Sequence, residues 1–214
     1  MNKEWSELNK TMQAQIKKKD TYKMGIDTLF NLRRQLMQTL VSFKEDLCRE
    51  DFNAIPFINA DGYHSKTIAY SIWHIFRIED IVAHTVITED EQVFFTGNYQ
   101  VRINSPIITT GNELVKQQIA DFSKQLNLEE LYSYIFEVRE STEKILERFS
   151  YDELKWKIPD ERKGYLKSLN VVNCDEKAIW LIDYWCSKDI RGLIQMPFSR
   201  HWIMHTEACL RIKN

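Results

Sequence analysis

Residues 67–87, TIAYSIWHIFRIEDIVAHTVI, decide the fold. Ile68, Tyr70, Ile72, Trp73, Ile75, Phe76, Ile78, Ile81 and Val82 cover nearly every face of a 3.6-residue helix, and a helix apolar all round belongs at the centre of its domain. It does not read as a membrane span, because His74, Arg77, Glu79, Asp80 and His84 interrupt it and would be costly in lipid. Asp61-Gly62 marks a turn just before it, and Ser65 is expected to cap a helix running to about Ile87.

Upstream, Ile26, Leu29, Phe30, Leu36, Met37, Leu40, Phe43 and Leu47 recur at steps of three and four, predicting a long amphipathic helix from Asp20 to about Arg49. Residues 1–19 read as a helical extension before it. Downstream, Asn127-x-x-Glu130 resembles a capping box and opens a third long helix. Its seam of Leu128, Leu131, Ile135, Val138, Thr142, Ile145 and Phe149 suits left-handed bundle packing. Pro197, with its fixed φ, suits the first turn of a last helix ending near Lys213.

Four such helices predict an all-α fold, a four-helix bundle forming one domain over residues 1–214. The surplus sequence lies in two long connections, roughly residues 88–127 and 150–195, where pocket walls, lids or dimer contacts would be built. In the first, Val93-Phe94-Phe95 and Tyr99-Gln100-Val101 flank Thr96-Gly97-Asn98 as a hairpin, and Thr110-x-x-Glu113 starts a short helix. In the second, a helical turn from Ser150 and a polar loop from Pro159 to Asn173 precede a helix from Asp175 to Ser187.

Composition narrows the function classes. The 214 residues hold 29 Lys+Arg against 31 Asp+Glu, a net charge of −2, with neither sign gathered into a long run. A phosphate-binding footprint is basic, so neither nucleic acid nor membrane is an expected partner. The start, MNKEWSELNK, has no apolar core of a secretory signal, and a cytoplasmic location is expected. Cys48, Cys174, Cys186 and Cys209 form no C-x-x-C pair and read as reduced, mostly buried small hydrophobes.

The chemistry rests on five histidines, at 64, 74, 84, 201 and 205. His201-x-x-x-His205 lies on one face of the last helix, with Cβ atoms roughly 5–6 Å apart, so both imidazoles can reach one ion. Phe198, Ala208 and Ile212 share that face, which turns the pair inward. Trp202 stands where a zincin protease carries its glutamate, which excludes that class. Ten helical residues span about 15 Å, so at most one of His64, His74 and His84 can join the pair. His74 is the most deeply placed and is the expected third ligand. His84 reads as a polar residue near a helix end, and His64 as a solvated turn residue. The competing reading is that all are satisfied core histidines.

Trp73-His74 with Arg77-Ile78-Glu79-Asp80 on a buried second helix, followed by the C-terminal His201-x-x-x-His205 helix, resembles the DinB/YfiT-like family of four-helix-bundle metalloenzymes. The resemblance runs from Asp20 to the C-terminus and is weakest in the two long connections. It implies a divalent metal ion, zinc or nickel foremost, on His74, His201 and His205. It also implies a small-molecule substrate and a low-molecular-weight thiol, since relatives include thiol-dependent S-transferases and an isomerase. Thr206-Glu207-Ala208 departs from the Arg-Gly-Gln-like residues that follow the last histidine in many relatives.

Three neutral imidazoles leave an ion its full charge and an open position, the arrangement of a catalytic site. The expectation is therefore a metal-dependent transferase or hydrolase acting on a small molecule. Glu79 and Asp80 point away from His74 and read as salt-bridge or imidazole-orienting groups. No protein side chain is assigned a catalytic role. The alternative is a non-catalytic metal-binding or dimerising bundle, a sensor or interaction module, its site closed by Cys209 four residues beyond His205. Trp73, Trp202, Trp180, Tyr184, Trp185 and Phe198 are expected to pack in the core, with a pocket entrance or a homodimer contact as the other use of the last four.

Overall fold

Arg33, in the middle of the first long helix, has no exposed surface at all, and the architecture is arranged around it. The structure, a computed structural model, describes residues 2–213. It is an all-α helical bundle, with no strand among the described residues. The helices in chain order are α1 (Lys3–Gln15), α2 (Tyr22–Asp46), α3 (Arg49–Asn53), α4 (Ile68–Asp80), α5 (Val93–Thr96), α6 (Tyr99–Arg102), α7 (Gln117–Gln125), α8 (Leu128–Glu147), α9 (Glu161–Ser168), α10 (Glu176–Cys186), α11 (Ile190–Gln195) and α12 (His201–Lys213). α4 continues as a π-helical segment through Thr88, and a π turn, Met196–Arg200, leads into α12.

The four long helices predicted from periodicity form the bundle: α2 and α4 each pack against both α8 and α12. Every residue of α4 is buried, as its all-round apolarity demands. α1 folds back antiparallel along α2, with Glu4 bonded to Gln35 and Gln15 to Thr28. Gly25 permits this close approach, since a Cβ there would sit 2.5 Å from the Ile16 side chain. Asn127 caps α8 through the Glu130 N–H, as its spacing predicts.

The core divides into two apolar clusters. One holds Leu36, Phe43, Trp73, Tyr134 and Trp202; the other holds Leu29, Ile81, Leu146, Trp185 and Phe198. Along α2 the cluster changes between Leu29 and Leu32, along α4 between Phe76 and Ile78, and along α8 between Val138 and Ile145, and the buried polar residues Arg33, Arg77, Glu79, Asp80 and Thr142 lie at or next to these changes. Arg33 pairs bidentately with Glu79 at 2.8 and 2.9 Å, reaches Glu143 at 3.1 Å and donates to the Phe198 carbonyl at 3.2 Å. Trp202 Nε1 donates to the same Glu79 carboxylate at 2.7 Å, and the guanidinium lies 4.3 Å from the Trp202 ring. Buried charges are tolerated only when paired and hydrogen-bonded, and removing one partner of such a pair costs about 3–5 kcal/mol. The network therefore holds α2, α4 and the start of α12 in one register.

Several local expectations are corrected. Residues 93–102 form α5 and α6 rather than a hairpin. Val93 and Phe94 are both buried, and the Asp80 carboxylate accepts both of their backbone N–H groups at 2.9 and 2.8 Å, which holds this segment as the start of a helix against α4. Thr67, not Ser65, caps α4, accepting from the Tyr70 N–H at 3.0 Å. The Thr110-x-x-Glu113 pattern starts no helix; α7 begins at Gln117, because the Thr110 segment is bonded to α4 instead. The polar stretch after Pro159 contains α9, since Arg162 is buried and donates to the Thr85 carbonyl at 2.7 Å while pairing with Glu89 at 2.9 Å. Of the cysteines, only Cys186 and Cys209 are buried; Cys48 and Cys174 are exposed. Among the described residues, no helix is long and apolar enough to cross a membrane.

Candidate metal centre

His74 enters the site from the middle of α4, and His201 and His205 from the first turns of α12. One nitrogen of each lies within 4.8 Å of the others, and all three residues are buried. Their ring centroids are 5.1, 4.9 and 4.6 Å apart. Three nitrogens each ~2.1 Å from one ion are at most ~3.6 Å apart when evenly spaced, so an inward shift of less than about an ångström by each would let the trio share it. No other group of three or more such side chains is drawn together among the described residues.

The protonation of the trio suits a ligand set. His74 Nδ1 lies 2.6 Å from the Thr110 carbonyl oxygen; that oxygen only accepts, so Nδ1 carries the hydrogen and Nε2 the free lone pair. The ring also stacks on Tyr70 at 5.2 Å, and the Tyr70 hydroxyl donates to the Gly111 carbonyl at 2.9 Å. Arg77 completes the clamp by donating to the Ile108 carbonyl. Gly111, at φ +76°, is required there: a Cβ would meet the Trp73 ring at 2.8 Å. Residues 108–111 thus orient His74, the usual outer support of a metal-ligating imidazole.

Burial lowers the His74 pKa to about 4, the Thr110 bond opposing and the charge of Lys66 adding slightly. Burial likewise pushes His201 and His205 well below the ordinary histidine range, with the neighbouring imidazoles adding to it. All three are neutral at pH 7 and free to give a lone pair. The Nδ1 atoms of His201 and His205 are buried with no hydrogen-bond partner, an unsatisfied state that calls for an explanation. Three neutral imidazoles with unspent lone pairs fit a borderline divalent cation.

The trio lines a cavity of about 410 Å³, within the range of small-molecule sites. Trp180, Tyr184 and Trp185 of α10 contribute apolar surface to its wall, and Tyr63 and Lys66 also line it. Trp180 is 50% exposed, so the expectation of core packing is corrected for it, while Trp185 and Phe198 are buried. Trp73 and Trp202 pack in the core, against Phe122 and on Glu79. Glu79 and Asp80 are ion-paired, with Arg33 and Arg77. His64 is half-buried rather than solvated. Its ring lies 4.4 Å from that of Tyr63, which in turn lies 6.0 Å from His205. Cys209 is not in the cluster, and burial raises its pKa to about 12.

His84 stands apart. Its Nδ1 is 2.7 Å from an Asp90 carboxylate oxygen and its Nε2 is 3.0 Å from the Ser141 hydroxyl. The order Ser-His-Asp is that of a nucleophilic triad, but Ser141 lies inside α8, where backbone N–H groups are spent on the helix and none is free for an oxyanion. Glu91, Glu137 and Glu140 line the same surface hollow and would repel one. These contacts therefore satisfy a buried histidine near a helix end, as its position predicts.

Sequence reasoning missed the Thr110 carbonyl and Lys66, and gave the Trp180 wall only as the second use of that aromatic group, behind core packing. Lys66 alone left a signal: it immediately precedes the α4 cap, at the positive end of the helix dipole, where cations are disfavoured. Set against known proteins, the chain matches no family model and none of the curated sequences.

Proposed function

We propose that this chain is a metal-dependent enzyme of the DinB-like kind, with His74, His201 and His205 as the ligands of one divalent ion, zinc or nickel. The observation that carries the reading is the convergence of three buried, neutral imidazoles on one point of a small-molecule cavity, with no fourth protein ligand among the described residues. An ion held there supplies Lewis acidity, which acidifies a bound water or thiol toward neutral pH. Thr110 fixes the His74 tautomer, the Arg33-Glu79-Trp202 network fixes α12, and the Trp180 wall excludes water from one side of the cavity. The reaction class is group transfer or hydrolysis on a small molecule, with a low-molecular-weight thiol as the leading co-substrate.

Metal analysis of the purified protein tests this reading. About one equivalent is expected in the wild type and in His84→Gln, and almost none in His74→Ala or His201→Ala. Equal metal content in all four proteins overturns it.

A further inference from the structure

The cavity has an uneven charge inventory. Among the described residues that line it, Lys66 alone carries a formal charge at neutral pH; no aspartate or glutamate is present. Lys66 is half-buried, and its ammonium sits 5.1 Å from the Tyr70 ring without an ion pair among the described residues. Burial lowers its pKa and no carboxylate opposes that shift. Its charge is nonetheless felt at His74 and His205, which places it beside the trio. A partly desolvated cation without a partner is unfavourable, and a ligand anion would relieve it. Trp180 and Tyr184, which line the same cavity, pack edge to face at 5.6 Å and offer an apolar surface.

We propose that Lys66 recognises a carboxylate on a small amphipathic molecule whose apolar part lies against Trp180 and Tyr184. A carboxylate is favoured over a phosphate because one ammonium matches one negative charge. A phosphate monoester brings about two, and no second side-chain cation lines the wall among the described residues. Only the identification of this cavity as the substrate site is taken from the metal-enzyme reading; Lys66 and the aromatic wall act whether or not an ion is bound.

The test uses metal-free protein, so that its failure and that of the metal reading are separate results. Calorimetric titration compares 3-phenylpropanoate, its neutral amide and phenyl phosphate. The wild type should bind the acid about tenfold or more tighter than the amide, as a charge-assisted bond implies. Lys66→Met should erase that preference without changing amide affinity, Lys66→Arg should retain most of it, and Trp180→Ala should weaken acid and amide alike. Equal affinity for acid and amide in the wild type, a preference that survives in Lys66→Met, or no binding of the acid at millimolar concentration overturns the proposal. Tighter binding of phenyl phosphate overturns the assignment of a carboxylate.

Discussion

α4 and its π continuation carry two buried histidines ten residues apart, and their surroundings are opposite. His84 has both nitrogens engaged, one by a carboxylate and one by a hydroxyl, and its local hydrogen-bonding needs are met. His74 has one nitrogen engaged by a backbone carbonyl and presents the other to two more imidazoles whose own Nδ1 atoms are unpartnered. Equal burial therefore says little about role. What separates the two is the count of unspent lone pairs, since buried polar groups without partners are rare unless something else satisfies them.

Acid separates the regions most strongly. The trio has pKa values depressed in the folded state, so the unfolded chain binds more protons at mildly acid pH and stability is lost as pH falls below about 6.5. For His74, whose folded pKa is about 4, the loss is on the order of 3 kcal/mol by pH 4. With His201 and His205 adding to it, metal-free protein should pass through its unfolding transition before that pH. Urea unfolding at pH 7.5 and 4.5 measures this, and a His74→Asn/His201→Asn/His205→Asn variant should have a flatter profile. A profile as steep as the wild type's would break the comparison. Metal gives a second effect: zinc at a thousandfold excess over its Kd should stabilise the wild type and His84→Gln by about 4 kcal/mol and leave His201→Asn unmoved.

Gly111→Ala tests the support of the trio. A non-glycine residue at φ +76° is strained, and the new methyl would press on Trp73. The Thr110 carbonyl would shift and His74 would lose its orientation, so metal affinity should fall roughly 10–100-fold, as for other outer-shell losses. Calorimetric zinc binding reads this directly; unchanged affinity would mean that the Thr110 bond does not position the ring.

The long helices and the trio were legible in the sequence because both are local patterns. Steps of three and four mark α2 and α8, all-round apolarity marks α4 and Pro197 the approach to α12, and His201-x-x-x-His205 needs only the helical repeat. His74 followed from depth along α4. The short elements were not legible, because distant partners hold them. α5 depends on the carboxylate of Asp80, thirteen residues before Val93, and α9 on Arg162 reaching the Thr85 carbonyl. The cavity wall was misread for a related reason: Trp180 and Trp185 look alike in sequence, yet one is half exposed and the other buried. Thr110 contributes through its backbone carbonyl, so its side chain is not the signal.

The smallest expected effect is also the sharpest control. His84→Gln keeps a polar side chain of similar reach, with one donor for Asp90 and an acceptor for Ser141, but replaces the geometry of two fixed ring nitrogens. Loss or distortion of one such bond near a helix end costs about 1–2 kcal/mol. Chemical denaturation should show that loss, with zinc stoichiometry and affinity unchanged. If zinc affinity fell as well, His84 would be coupled to the trio through the ten residues of helix between them. The two surroundings would then be parts of one device, and lone-pair counting would not distinguish a structural histidine from a ligand on this helix.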